Sequence, residues 1–316
     1  MQTLQPKQYK LAEQFGLPLD PRLVITGYDG KHAAVPPIDP DYVYQREKLR
    51  DLLAFWTAGL KALKIKGDPA TGKTSLVEQW HARLGWPLYM VPCSASTEAS
   101  RLIGRMVPTE TGTLKWVDGP VVKAAKEGTS VLLDEYNTLD PSQSTGLNML
   151  LEGYSFVIEE TGEVVKPHPN FRVFATENSV QSRLSVTGRS VQDVANDDRW
   201  MEMEADYLPA ELETAALIKK MVASKIPTDR AELFAPKLVE VANQIRKAYR
   251  DEEDAIEKPM STRSLIRWAL LIFRFQSVPS EQGGPHIYAL QRAFSMSPEM
   301  SLPVKTWAAA KFGTSL

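Results

Sequence analysis

Cysteine is almost missing from this chain. Of 316 residues only Cys93 carries a thiol, which excludes an intramolecular disulfide and fits a reducing compartment. It closes the apolar run Leu88-Tyr89-Met90-Val91-Pro92-Cys93, where a free cysteine packs as a small buried hydrophobe. Histidine is scarce as well: His32, His81, His168 and His286 lack metal-ligand spacing and no second cysteine joins them, so no zinc site is expected. Charge of one sign is not in excess. A net charge of −2 and a pI near 6.2 give no standing surface for nucleic acid or anionic membrane. No run approaches the roughly 20 apolar residues of a membrane span, and Met1 to Tyr28 shows no basic stretch leading into an apolar one, so a cytoplasmic location is expected. Internal repeats and low-complexity tracts are also missing. What is present is an ordinary globular composition, 43% hydrophobic, enough for two domains or for one large domain with a smaller companion.

Residues 1 to 40 are punctuated by Pro18, Pro21, Gly27, Gly30, Pro36, Pro37 and Pro40, which predicts an extended arm with one short helix near Lys7 to Phe15. Helical periodicity begins at Tyr42 and runs through Ala58, with Gly59 as its stop. Short apolar runs then alternate with helical stretches: 63–66, a helix to 84, 88–93, a helix near 96–103, 131–134, a helix over 142–152, and 171–175. Strands alternating with helices predict a parallel α/β sheet. After Pro209 the strands stop. Segments 210–221, 231–249, 261–275 and 286–295 carry helical periodicity, and Asp251-Glu252-Glu253-Asp254 reads as a solvated acidic loop. The expected organisation is an arm over 1–40, an α/β nucleotide-binding core over 41–209 and a small all-α domain over 210–316.

Gly67-Asp68-Pro69-Ala70-Thr71-Gly72-Lys73-Thr74 fits the phosphate-loop pattern GxxxxGK[ST], after a strand-like run and before a helical stretch that opens at Ser75. Glycines let the backbone curl so that N–H groups face phosphate at a helix N-terminus, Lys73 adds a point charge, and the Thr74 hydroxyl can ligate Mg²⁺. Gly67 through Ser75 are therefore the expected nucleotide-binding residues, with ATP and Mg²⁺ as the expected ligands. Val131-Leu132-Leu133-Asp134-Glu135 is an apolar strand ending in paired carboxylates. Beside a phosphate loop, Asp134 is assigned with Thr74 to the Mg²⁺ shell and Glu135 to polarising the attacking water. A later strand, Phe171 to Thr176, ends in Glu177-Asn178. Asn178 can hydrogen-bond the γ-phosphate or the water, but Asn is also a common turn residue, and the residues alone leave both readings open.

The ordered set GDPATGKT, VLLDEYN, FRVFATEN, NDDRW and STRSLIRWA resembles AAA+ ATPases of the MoxR branch, and within it the CobS-type ATPase subunits of cobaltochelatase. The likeness extends through Gln14-Phe15-Gly16-Leu17, Asp39-Pro40-Asp41-Tyr42, Gly85-Trp86-Pro87, His168-Pro169-Asn170-Phe171 and Tyr207-Leu208-Pro209, weakening in the helical domain. It implies a P-loop AAA+ core with a parallel sheet and β-hairpin insertions, followed by an all-α lid. It further implies that Asn178 is the sensor-1 residue, that Arg199 is an arginine finger reaching the γ-phosphate of a neighbouring subunit, and that Arg263 is the lid's sensor-2 arginine. An arginine supplied in trans implies a homo-oligomeric ring, as a hexamer. The hairpin insertions of this branch correspond to Val107–Gly119 and Tyr154–Lys166, with turns at Thr111-Gly112 and Thr161-Gly162; Lys115 and Trp116 are the residues to test in the first. A von Willebrand factor A-type partner is implied in the chelatase setting. Two departures stand out: Thr187 to Ala195 replaces a polar, Gln-rich segment, and Glu177 occupies a position expected to be small or Gln.

The leading expectation is an ATP-hydrolysing ring ATPase that remodels or drives a partner protein, with a metal-chelatase-type complex as one setting. A DNA-associated AAA+ motor of a mobile element or virus is an alternative, which the near-neutral charge and the lack of a basic or aromatic platform disfavour. A nucleotide-gated assembly protein, whose ring is itself the product, is another.

Overall fold

In the computed structural model, residues 4–16, 18–140, 143, 147–178, 197–253 and 255–312 are described. The chain opens with β1 (Pro6–Lys10), α1 (Leu11–Phe15) and β2 (Val24–Tyr28). Where the punctuation predicts an extended arm with a helix from Lys7, β1 instead pairs antiparallel with β2. Tyr9 is the reason: it is buried and its hydroxyl donates to the Tyr28 carbonyl at 2.6 Å, a cross-strand contact invisible in local composition. Helix α2 (Arg46–Thr57) starts later than the Tyr42 onset expected from periodicity. Tyr42 and Tyr44 pack edge to face at 4.8 Å and Tyr44 meets Phe15 at 4.9 Å, a same-side i, i+2 pair that suits extended backbone.

The core then runs β3 (Ala62–Gly67), α3 (Lys73–Arg83), β4 (Leu88–Pro92), α4 (Ala99–Ile103), β5 (Gly104–Pro108), β6 (Leu114–Asp118), α5 (Pro120–Glu127), β7 (Ser130–Asp134), α6 (Asn148–Leu151), β8 (Phe156–Val157), β9 (Val164–Val165), β10 (Arg172–Asn178) and β11 (Met201–Ala205). Five of these strands form one parallel sheet in the order β11-β3-β10-β7-β4, the expected α/β class. Leu63, Ile65, Leu132, Phe174 and Met203 face the cluster shared with α2, α3 and the N-terminal hairpin. Ala62, Val131, Leu133, Val173 and Ala175 face the other cluster, which includes residues of α5 and α6. Because β10 lies between β3 and β7, the carboxyl ends of the P-loop strand, the acid-bearing strand and the Asn178 strand share one rim of the sheet, where α/β proteins bind ligands.

β11 was not among the expected strands, although the period-two alternation Met201-Glu202-Met203-Glu204-Ala205 carries its signal. Both expected hairpins are antiparallel pairs, β5 with β6 and β8 with β9, and the first begins at Gly104 rather than Val107. The helix expected over 142–152 falls partly on residues outside those described, and Thr187 to Ala195 falls wholly outside them.

Helices α7 (Ala210–Ala223), α8 (Thr228–Arg250), α9 (Thr262–Ile272), α10 (Gly284–Ala293) and α11 (Pro298–Phe312) build a third core around Met221, Leu238, Ile245, Trp268, Leu290 and Val304. The Ser261 hydroxyl caps α9 by accepting from the Ser264 N–H at 3.0 Å. α11 lies beyond the helical segments expected from periodicity and, like α8 with Pro236, carries a proline, Pro303, inside it.

Candidate active site

β3 delivers the chain to the phosphate loop at Gly67. A Cβ there would meet the Ala205 carbonyl oxygen at 2.1 Å, so only glycine allows the loop to cross the end of β11 this closely. Gly72, with φ +87°, turns the chain into α3 and brings no side chain to the helix's first N–H groups, the arrangement that receives phosphate oxygens. Lys73 is buried and its ammonium donates to the Gly67 carbonyl at 3.0 Å, the Asp68 carbonyl at 2.8 Å and Asn178 Oδ1 at 3.0 Å. The lysine is thus aimed across the mouth of the loop toward the tip of β10.

The paired acids sit one strand further along. Asp134 Oδ1 accepts from the Thr74 hydroxyl at 2.7 Å and from the Thr176 hydroxyl at 2.5 Å. Thr176 in turn accepts from the Glu135 N–H at 3.0 Å, so one side chain ties both acids to β10. Glu135 adopts the left-handed region, φ 58° and ψ 42°, which few non-glycine residues occupy away from a functional turn. Asn137 Nδ2 donates to the Asn178 carbonyl at 3.0 Å and pins the tip of β10 from below. Sequence reasoning missed Thr176, although a hydroxyl directly after the apolar run Val173-Phe174-Ala175 at a buried strand end was the available signal.

This donor set fits Mg²⁺. Thr74 and Asp134 offer hard oxygen ligands at one point, and no cluster of three or more His, Cys, Asp or Glu among the described residues makes a closed protein cage. Magnesium is commonly held in that way, by one or two side chains with phosphate and water completing the shell. Nearby, burial first and the Asp134 charge second raise the Glu78 carboxyl above its ordinary range.

A cleft of about 640 Å³ gathers these groups: Lys73, Thr74, Asp134, Glu135 and Asn178 line it from the sheet side, and Arg263 from α9. Tyr207 and Arg246, given no role by the sequence, join the helical region to the loop, and Glu213 holds Arg246 in place. The Tyr207 hydroxyl donates to the Pro69 carbonyl at 2.9 Å, and the Arg246 guanidinium lies 3.9 Å from the centre of the Tyr207 ring. Arg246 forks onto Glu213 at 2.6 and 2.9 Å, and the Thr262 hydroxyl, one residue before Arg263, donates to the same carboxylate at 2.7 Å. Glu213 and Arg246 are 1% and 3% exposed, so this is a desolvated pair with its lone pairs and protons engaged. Arg199 is not among the residues lining the cleft; its Nε pairs with Glu152 Oε1 at 2.7 Å. Glu177 is buried, and burial raises its carboxyl even though Lys64 and Lys66 pull the other way.

Residues 62–194 match the family described as AAA domain (dynein-related subfamily), and residues 219–310 match the CbbQ/NirQ/NorQ C-terminal family. The chain is 29% identical over 268 residues to the aerobic cobaltochelatase subunit CobS of a Sinorhizobium species, an alignment covering 81% of this chain and 78% of that protein. It is 32% identical over 219 residues to the denitrification regulatory protein NirQ of Stutzerimonas stutzeri, covering 69% and 74%. To protein CbbQ of Hydrogenophilus thermoluteolus it is 30% identical over 212 residues, covering 66% and 73%. An AAA domain followed by this type of C-terminal domain, shared with relatives over most of the chain, is the make-up of the MoxR family of AAA+ ATPases, and to that family this chain belongs.

Proposed function

We propose that the chain is an ATP- and Mg²⁺-dependent ATPase that assembles into a hexameric ring and uses hydrolysis to remodel or drive a partner protein. The observation that carries this reading is the convergence of Lys73, Thr74, Asp134, Glu135 and Asn178 on one cleft while Arg199 stays out of it. In this reading the N–H groups of the P-loop and the Lys73 ammonium bind the β- and γ-phosphates. Thr74 and Asp134 hold Mg²⁺, which when bound offsets phosphate charge. Glu135 orients the attacking water and takes its proton, and Asn178 fixes that water or a γ-phosphate oxygen. Arg263 reaches the phosphates from the helical side, and Arg199 of a neighbouring subunit completes the positive charge around the transferring phosphoryl group. Domain closure over the nucleotide would alter the angle between core and lid at Tyr207, which bonds the P-loop at Pro69 and carries the Arg246 guanidinium of the helical region over its ring.

The hairpins β5–β6 and β8–β9 are the surfaces assigned to the partner. Leu114, Val117, Val157 and Val164 are exposed apolar residues on these hairpins, and Lys115 and Trp116 lie beside the first two. A metal-chelatase-type complex is supported by the CobS relative, whose name is that of a cobaltochelatase subunit; a von Willebrand factor A-type partner is what the family resemblance implies in that setting. The test is a pair of variants assayed for nucleotide binding and phosphate release. Lys73→Ala should lose turnover, and Glu135→Gln should bind ATP with little turnover. Normal hydrolysis by Glu135→Gln would remove the assignment of the catalytic base.

A further inference from the structure

Lys64 does not match its surroundings. It is 0% exposed, in the middle of β3 between the buried Leu63 and Ile65. An ammonium so placed is costly to desolvate, and an apolar side chain of similar length fills such a site at no electrostatic cost. Two acids pair with it directly, and the buried Glu177 carboxyl also lies within its field. Glu202 Oε1 lies 3.1 Å away, directly across the ladder on β11, and also takes Lys66 at 2.6 Å. The second acid, Asp197, comes from outside the sheet: it accepts a hydrogen bond from the Lys64 ammonium across 133 positions of sequence. The sheet's own ladder already supplies Glu202, so the contact to Asp197 adds something that pairing of β3 with β11 does not need.

Asp197 immediately precedes Asp198-Arg199, and Arg199 is gripped on its other side by Glu152 at 2.7 Å. The arginine is therefore held between two tethers, one of which begins on the strand that ends in the phosphate loop. We infer that Lys64 is a positioning residue for Arg199: through Asp197 it sets the finger that a subunit offers its neighbour against the P-loop strand of the subunit that offers it. A shift of β3 on nucleotide binding would then be passed to the next site in the ring by a rigid ionic link. This rests on the proposal that Arg199 acts in trans.

The experiment is subunit mixing. Lys64→Met alone should bind a fluorescent ATP analogue within about twofold of wild type, because its own loop is intact, yet turn over at least roughly tenfold more slowly, as befits a misplaced finger. Mixed with Glu135→Gln subunits, which cannot hydrolyse but carry a correctly held Arg199, those Lys64→Met subunits that receive their finger from a Glu135→Gln neighbour should regain turnover. Asp197→Asn, at a partly exposed carboxylate, should behave in the same way and serves should Lys64→Met fail to fold. A mixture of Arg199→Ala with Glu135→Gln is the control. If that control regains turnover and the Lys64→Met and Asp197→Asn mixtures do not, or if those variants lose nucleotide affinity, the role of Lys64 is overturned. If the control itself fails, the in-trans finger falls and this inference with it.

Discussion

Thr176→Val isolates one hydroxyl at the centre of the proposed site. The side chain is 1% exposed and valine has nearly its shape, so the substitution leaves no cavity. It removes the donor to Asp134 Oδ1 at 2.5 Å and the acceptor for the Glu135 N–H at 3.0 Å. A hydrogen bond to a charged group contributes about 1.5–3 kcal/mol. If that energy holds the acids in their working geometry, its loss lowers kcat by about 10- to 100-fold at about 1.4 kcal/mol per factor of ten. Steady-state phosphate release at saturating ATP, repeated across a Mg²⁺ titration, reads both consequences: kcat falls, and the Mg²⁺ concentration for half-maximal rate rises because Asp134 is less well aimed. Nucleotide binding measured without Mg²⁺ should stay near wild type, since the P-loop contacts are untouched. Thr176→Ser, which keeps the hydroxyl, should remain within about threefold of wild type, a small change on the scale of one hydrogen bond. A Thr176→Val enzyme as fast as Thr176→Ser would refute the reasoning.

Glu213→Ala leaves the Arg246 charge buried without its fork partner, a change that costs about 3–5 kcal/mol, and the Tm should drop clearly in a thermal melt; a double Glu213→Ala/Arg246→Met variant should recover much of that loss. Glu177 has a folded-state carboxyl raised by burial, so its ionisation weakens the fold above that raised value and the penalty lifts as pH falls through it. Glu177→Gln should accordingly melt above wild type near neutral pH, with the gap closing on acidification; a gap that widens at low pH would contradict the assigned sign. Burial, with Asp134 and Glu135 adding to it, pushes the Cys93 thiol up to about 12, so a thiol reagent at mildly alkaline pH should label it only after denaturant unfolds the protein.

The α/β sheet, the phosphate loop and the paired acids were legible because each is a local pattern: an apolar run, a glycine spacing, carboxylates at a strand end. Asn178 was left open by the residues and given its role by the resemblance, Arg263 came from the resemblance alone, and both line the same cleft. What escaped was made by contacts between distant segments. Tyr9 becomes a strand residue because of Tyr28, and Thr176 matters because β10 lies beside β7. Tyr207, Glu213 and Arg246 look like ordinary surface side chains until the helices bring a phenol, a carboxylate and a guanidinium together beneath the P-loop. β11 does carry a local signal, its alternating methionines and glutamates being those of a half-buried strand.

The left-handed backbone at Glu135 has an engineering consequence. Holding a side chain with a Cβ in that conformation costs roughly 1–2 kcal/mol, a penalty that glycine escapes and asparagine reduces. Glu135→Gly and Glu135→Asn would therefore toughen the fold while discarding the proposed base. A library screened for heat resistance would enrich inactive proteins at this position, and one screened for turnover would restore the strain.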